Sequence, residues 1–104
     1  MTGTAAAVLR RAFELIDAQH IDLEFDNMPT GIDGLSFPDG HIIIDLRKCG
    51  TLDGLLRVLL HELGHVITGA FYRGEPAAEV WAAAEGASDA WAKQFLDSCG
   101  GAVV

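Results

Sequence analysis

Basic residues are scarce in this chain: seven Lys and Arg stand against fifteen Asp and Glu over 104 residues, a formal charge of −8. That balance repels phosphate backbones and argues against direct nucleic-acid binding, while favouring partners or substrates with basic segments. Long apolar runs are also missing. Apolar content is 50%, ordinary for a compact protein, and no run approaches the ~20 residues that cross a bilayer. No membrane insertion is expected. Cysteine is limited to Cys49 and Cys99, each before a glycine and without metal-ligand spacing, so both read as free thiols of a reducing compartment. The short run Ala5–Leu9 is followed, not preceded, by Arg10 and Arg11, the reverse of a secretory signal, and the expected location is the cytoplasm. Neither a repeat nor a low-complexity tract divides the chain. Its length fits one domain spanning residues 1–104.

Against these absences stands His61-Glu62-Leu63-Gly64-His65, an H-E-x-x-H sequence. An α-helix advances about 100° per residue, so His61 and His65 leave one face a turn apart, where one tetrahedral metal ion can bridge them. Glu62 then lies beside the metal without binding it. Two imidazoles and a carboxylate leave a fourth coordination position for water, whose pKa zinc lowers to about 7, and Glu62 is placed to take its proton. Leu52, Leu55, Leu59, Leu63, Val66 and Ala70 fall on one predicted apolar stripe, with Leu56 and Ile67 beside it. The histidines project roughly opposite, sharing their face with the small Gly54 and Val58.

A third ligand must come from elsewhere in the chain. Residues Ala77 to Leu96 are predicted to form a helix that follows Pro76 and stops before Cys99-Gly100-Gly101. Trp81, Ala84, Ser88, Trp91 and Phe95 recur at helical spacing as its buried stripe. Glu85 and Asp89 run alongside, one turn apart. Glu85 is the leading ligand and Glu79 its rival; Glu75 lies too near the preceding loop. With Glu85 on the metal, Asp89 is placed to accept the remaining ring N–H of His61 and so fix its tautomer.

The H-E-x-x-H sequence, nineteen intervening residues and Glu85 with Asp89 four further on resemble the gluzincin arrangement of thermolysin-like metallopeptidases. Arg57, one turn before His61, and the run Glu85-x-x-Ser88-Asp89-x-Trp91-Ala92 look most like the ImmA/IrrE peptidases and the stand-alone minigluzincins. The likeness covers the second half of the chain by motif and the first half by element order. It implies a small sheet packed on an active-site helix and followed by a glutamate helix. It also implies one zinc per chain on His61, His65 and Glu85, with Glu62 as base and Asp89 supporting a ligand. Some relatives cleave, or trigger cleavage of, a transcriptional repressor, so the resemblance implies a peptide or protein substrate of that class. Only about eight residues follow the glutamate helix, leaving no downstream subdomain to supply the His or Tyr that stabilises the oxyanion in larger relatives. Tyr72, His41 and Arg73 are the available substitutes, each with a donor for developing negative charge.

The rest of the chain reads as a frame. Thr4 to Ala18 carries Val8, Ala12, Leu15 and Ile16 at helical spacing, with Phe13 nearby and Thr2 or Thr4 as N-cap. Ile21, Leu23 and Phe25 alternate with Asp22, Glu24 and Asp26 as a half-buried strand. A turn is expected over Asn27–Gly31. Pro38-Asp39-Gly40 is a turn joining Leu35-Ser36-Phe37 to His41–Ile44 as a hairpin, since proline presets φ and glycine accepts the left-handed conformation. Thr51 is the expected N-cap of the metal helix, with Asp53 in its first turn. Gly69 and Gly74 bracket a loop, Phe71-Tyr72-Arg73, over the cleft.

The predicted architecture is a small α+β, zincin-like domain of order α-β-β-β-α-α, its short and mostly antiparallel sheet packed on the active-site helix. The predicted function is zinc-dependent endopeptidase, with an extended peptide pairing along an exposed edge of the Ile42-Ile43-Ile44 strand. The alternative is a zinc-stabilised binding or regulatory module that keeps a peptidase fold without cutting.

Overall fold

The computed structural model describes residues 3–72 and 74–99. Helix α1 (Gly3–Ala18) leads to strands β1 (Asp22–Phe25), β2 (Gly34–Ser36) and β3 (His41–Ile44), the short helix α2 (Leu46–Cys49), and the long helices α3 (Leu52–Thr68) and α4 (Ala78–Ser98). The domain is α+β, as expected; the one-turn α2 is the element the periodicity did not reveal. Capping of α1 by Thr2 or Thr4 rests on side chains outside the described residues, as does the role considered for Arg73.

The sheet departs from expectation. Its order is β1-β3-β2. β2 and β3 form the expected antiparallel hairpin, with Leu35 opposite Ile43, closed by Gly40 at φ 92°. β1, however, runs parallel to β3, pairing Leu23 with Ile42 and Phe25 with Ile44. The sheet is therefore mixed rather than mostly antiparallel, and β3 is its central strand. The physical reason lies in composition: Ile42-Ile43-Ile44 is the most apolar strand and gains most from coverage, whereas Asp22 and Glu24 of β1 tolerate an edge. The edge proposed for β3 is consequently occupied, and β2 carries the free edge next to α3.

Val8, Ala12 and Ile16 of α1, Ile21 just before β1, Ile42 and Ile44 of β3, and Leu56, Leu59, Leu60 and Leu63 of α3 are part of the core. Thr51 caps α3 through its hydroxyl, which accepts from the Gly54 amide at 3.0 Å, and Gly69 ends the helix at φ 68°. The expected apolar stripe of α3 is only partly right. Leu59 and Leu63 are buried, but Leu52 at its start is exposed, and Val58 and His65 are buried on the supposed open face. Sheet, α1 and α4 surround this helix, so burial follows its neighbours rather than one stripe. On α4, Ala84 and Ser88 are buried, as predicted, while Trp91 and Phe95 are only half-buried. Trp81 is 48% exposed, because residues 78–83 all lie on the surface ahead of the packed part of α4.

Candidate metal centre

The close approach of α4 to α3 brings the candidate ligands together. It depends on Gly64: a Cβ there would stand 2.6 Å from the Ser88 carbonyl oxygen and 2.9 Å from its Cα, distances that packed atoms do not tolerate. Ser88 also donates its hydroxyl to the His61 carbonyl. In the H-E-x-x-H sequence, then, the glycine allows the second helix to reach the histidines.

His61, His65 and Glu85 meet at one point. Glu85 Oε2 lies 2.6 Å from His65 Nε2 and 3.4 Å from His61 Nε2, and the two Nε2 atoms are 3.2 Å apart. Ligand atoms about 2.0–2.1 Å from a tetrahedral ion stand about 3.3 Å from one another, so the two separations from His61 fit a zinc-sized cation, while the Glu85–His65 contact at 2.6 Å is shorter and would have to open to admit one. The distal ring nitrogens are both committed. His61 Nδ1 is 2.9 Å from Asp89 Oδ1 and His65 Nδ1 is 2.7 Å from the Ala70 carbonyl. Both partners only accept, which puts a proton on each Nδ1 and leaves each Nε2 lone pair facing inward. Glu85 Oε2 is buried yet accepts no hydrogen bond from the described residues. Three lone-pair donors facing one another in a partly buried site call for positive charge among them, which a divalent cation supplies to all three at once. The donor set of two imidazoles and a carboxylate fits zinc. Phe71 covers His65, their ring centroids 6.0 Å apart.

Glu62 projects beside this group and is buried. Its Oε1 accepts a 2.8 Å hydrogen bond from the Ser36 hydroxyl on β2. Gly34, two residues earlier on the same face of β2, makes room for it: a Cβ there would meet Val58 Cγ1 at 3.0 Å and Glu62 Cγ at 3.3 Å. A cleft of about 870 Å³ opens between β2, α3 and α4, lined by Leu35, Arg57, His61, Glu62, Tyr72 and Glu85 among others. A smaller one of about 220 Å³ lies beside it, bounded by Ser36, His65 and Phe71.

Most residues singled out in the sequence lie at this centre. His61, His65 and Glu85 converge, Asp89 supports His61, and Glu62 and Tyr72 line both clefts. Two do not. Glu79, the rival ligand, is exposed near Gly69 and Phe71 and is absent from the converging group, because it stands nearly two turns before Glu85 on α4. His41 lines neither cleft; its Nε2 lies 3.1 Å from Glu24 Oε1 and its ring packs on Phe37, since it alternates with the buried Ile42 and Ile44 and so shares the outer face of the sheet with Glu24. Sequence reasoning missed Ser36 and Gly34. Their period-two spacing in a strand was visible, but which element that face would meet was not.

No model of a known protein family, no curated protein and no solved structure matches the chain.

Proposed function

We propose that this protein is a zinc-dependent endopeptidase of the gluzincin type, closest in motif to the ImmA/IrrE peptidases. The observation that carries the reading is the convergence of His61 Nε2, His65 Nε2 and the unpartnered Glu85 Oε2, with the carboxylate of Glu62 alongside. When bound, the ion supplies Lewis-acid polarisation of a carbonyl and lowers the pKa of a water to about 7. The residues of the chain do the rest. Glu62 Oε2, the oxygen not engaged by Ser36, takes the proton of the attacking water and hands it to the departing amide nitrogen. Asp89 and the Ala70 carbonyl hold the imidazoles in the tautomer that keeps both Nε2 atoms inward. Tyr72, the described donor among the expected substitutes that lines the clefts, offers its hydroxyl to charge growing on the carbonyl oxygen.

The substrate in this reading is a peptide or protein segment lying extended along the outer edge of β2, which pairs on its other side with β3. A transcriptional repressor is the substrate class the resemblance suggests. Acidic groups around the cleft, Asp33, Asp53 and Asp89, favour a basic segment. Among the described residues no helix is long and apolar enough to cross a membrane. We place the activity in the cytoplasm, where Cys49 and Cys99 stay as the free thiols they are here.

Glu62→Gln separates this function from zinc-stabilised binding without cleavage. The variant should keep its metal and lose at least a hundredfold in cleavage of an unfolded, lysine-rich protein. A wild type that holds zinc and cuts no member of a random peptide library would instead assign the chain to binding.

A further inference from the structure

The bond between Ser36 and Glu62 joins the edge strand of the sheet to the proposed base, and no step described so far needs it. We infer that Ser36 is a positioning residue for the reaction, its hydroxyl holding the Glu62 carboxylate in the one orientation that presents a free oxygen to the cleft. The inference rests on the peptidase reading given above.

Three features of the site lead there. Glu62 is buried on α3, where a carboxylate without a donor is costly. Ser36 supplies that donor at 2.8 Å, to Oε1 alone. Oε2 has no hydrogen-bond partner among the described residues, and Glu62 lines both clefts. The terminal torsion of a glutamate is broad and nearly two-fold, so without a fixed partner the carboxylate swings through orientations of similar energy. One hydroxyl removes that freedom.

The approach of β2 to α3 is itself specific. Gly34 and Ser36 share the face of β2 turned to α3, and the missing side chain at Gly34 lets the strand settle against Val58 and the Glu62 stem. Only at that separation does so short a side chain as serine reach the carboxylate. Leu35, between them, faces the other way and borders both clefts. A peptide laid along β2 therefore touches the strand whose next side chain aims the base, and binding and orientation share one rigid element. Misplacement of a reacting group by about 1 Å can cost 100-fold in rate.

Ser36→Ala and Ser36→Thr test this, read by three measurements. Ser36→Ala should bind one zinc per chain as wild type does and keep KM within about twofold, while kcat on a quenched-fluorescent peptide falls 10- to 100-fold. Ser36→Thr, which retains the hydroxyl in a strand-compatible side chain, should restore kcat to within about fivefold of wild type. Independently of activity, urea unfolding of the metal-free chain should show Ser36→Ala and Glu62→Ala to be non-additive, the coupling amounting to about 5- to 10-fold in the unfolding constant. An active wild type with Ser36→Ala equally active, Ser36→Thr as slow as Ser36→Ala, or strictly additive unfolding effects would overturn the positioning role alone. A wild type that binds zinc but cleaves nothing overturns the peptidase reading, and this inference with it.

Discussion

At the scale of single residues the site is organised by what each candidate ligand does with its far side. An imidazole offers a metal one nitrogen only if the other holds the proton, and here a carboxylate and a backbone carbonyl fix that choice for His61 and His65. The two supports differ in kind. The Ala70 carbonyl follows from where α3 ends and cannot be removed by substitution, whereas Asp89 can. Loss of such a supporting acceptor typically weakens metal binding 10- to 100-fold. Because the Asp89 side chain is 71% exposed and water can take its place, Asp89→Ala should weaken zinc binding by about tenfold, read by competition with a chromophoric chelator. An unchanged affinity would mean that Asp89 does not orient His61. The convergence of the candidate ligands and the contact of Asp89 with His61 were legible in the sequence because helical periodicity relates His61 to His65 and Glu85 to Asp89. Ser36 was not, because its partner is 26 residues away and no local pattern joins them.

At the scale of elements the decisive contact is α3 against α4. Its closeness comes from Gly64, and Gly64→Ala would drive a methyl into the Ser88 backbone. We expect a loss of about 1–3 kcal/mol in stability from overpacking, with weakened zinc binding because Glu85 is carried away from the histidines. Urea denaturation and zinc titration of the same variant check both, and a fully stable variant with native affinity would show that the helices are free to part. Six of the elements were visible as runs of correct type: α1, β1, β3, α3 and α4 each carry a period of their own, and the Pro38-Asp39-Gly40 turn marks β2 as the partner of β3 in a hairpin. The sheet order was not visible, since β1 pairing parallel to β3 across an intervening strand is a long-range choice settled by which strand is most apolar. The rotation of α3's buried arc escaped for the same reason. A helix flanked on three sides cannot be read from one stripe, and so Val58 and His65 proved buried where an open face was expected.

For the molecule as a whole, one buried carboxylate ties the wall of the cleft to the core. Asp45 accepts from the Arg47 guanidinium and amide, and from the Met28 amide at 2.9 Å, while Lys48 donates to the carbonyls of Met28, Pro29 and Ile32. The loop that carries Gly31, Ile32 and Asp33 to the cleft is thus pinned to α2. The Arg47 side chain, followed by the Met28 amide, holds the Asp45 pKa far below the usual carboxylate value. Because the folded pKa is depressed below the unfolded value of about 3.9, the ionised form favours folding. Its contribution is complete above about pH 4 and is lost as pH falls toward the folded pKa. Wild type should therefore lose stability steeply below pH 4, and Asp45→Asn should be less stable at neutral pH with a shallower acid limb. Denaturation midpoints from pH 2 to 7 check this, and parallel limbs would contradict it. The central claim is the shared cation, and the most direct measurement is elemental analysis of wild type, Glu79→Gln and Glu85→Gln purified without added metal. One zinc per chain is predicted for wild type and Glu79→Gln, and its loss for Glu85→Gln; a metal-free wild type, or a Glu85→Gln chain that holds zinc as wild type does, would contradict the account.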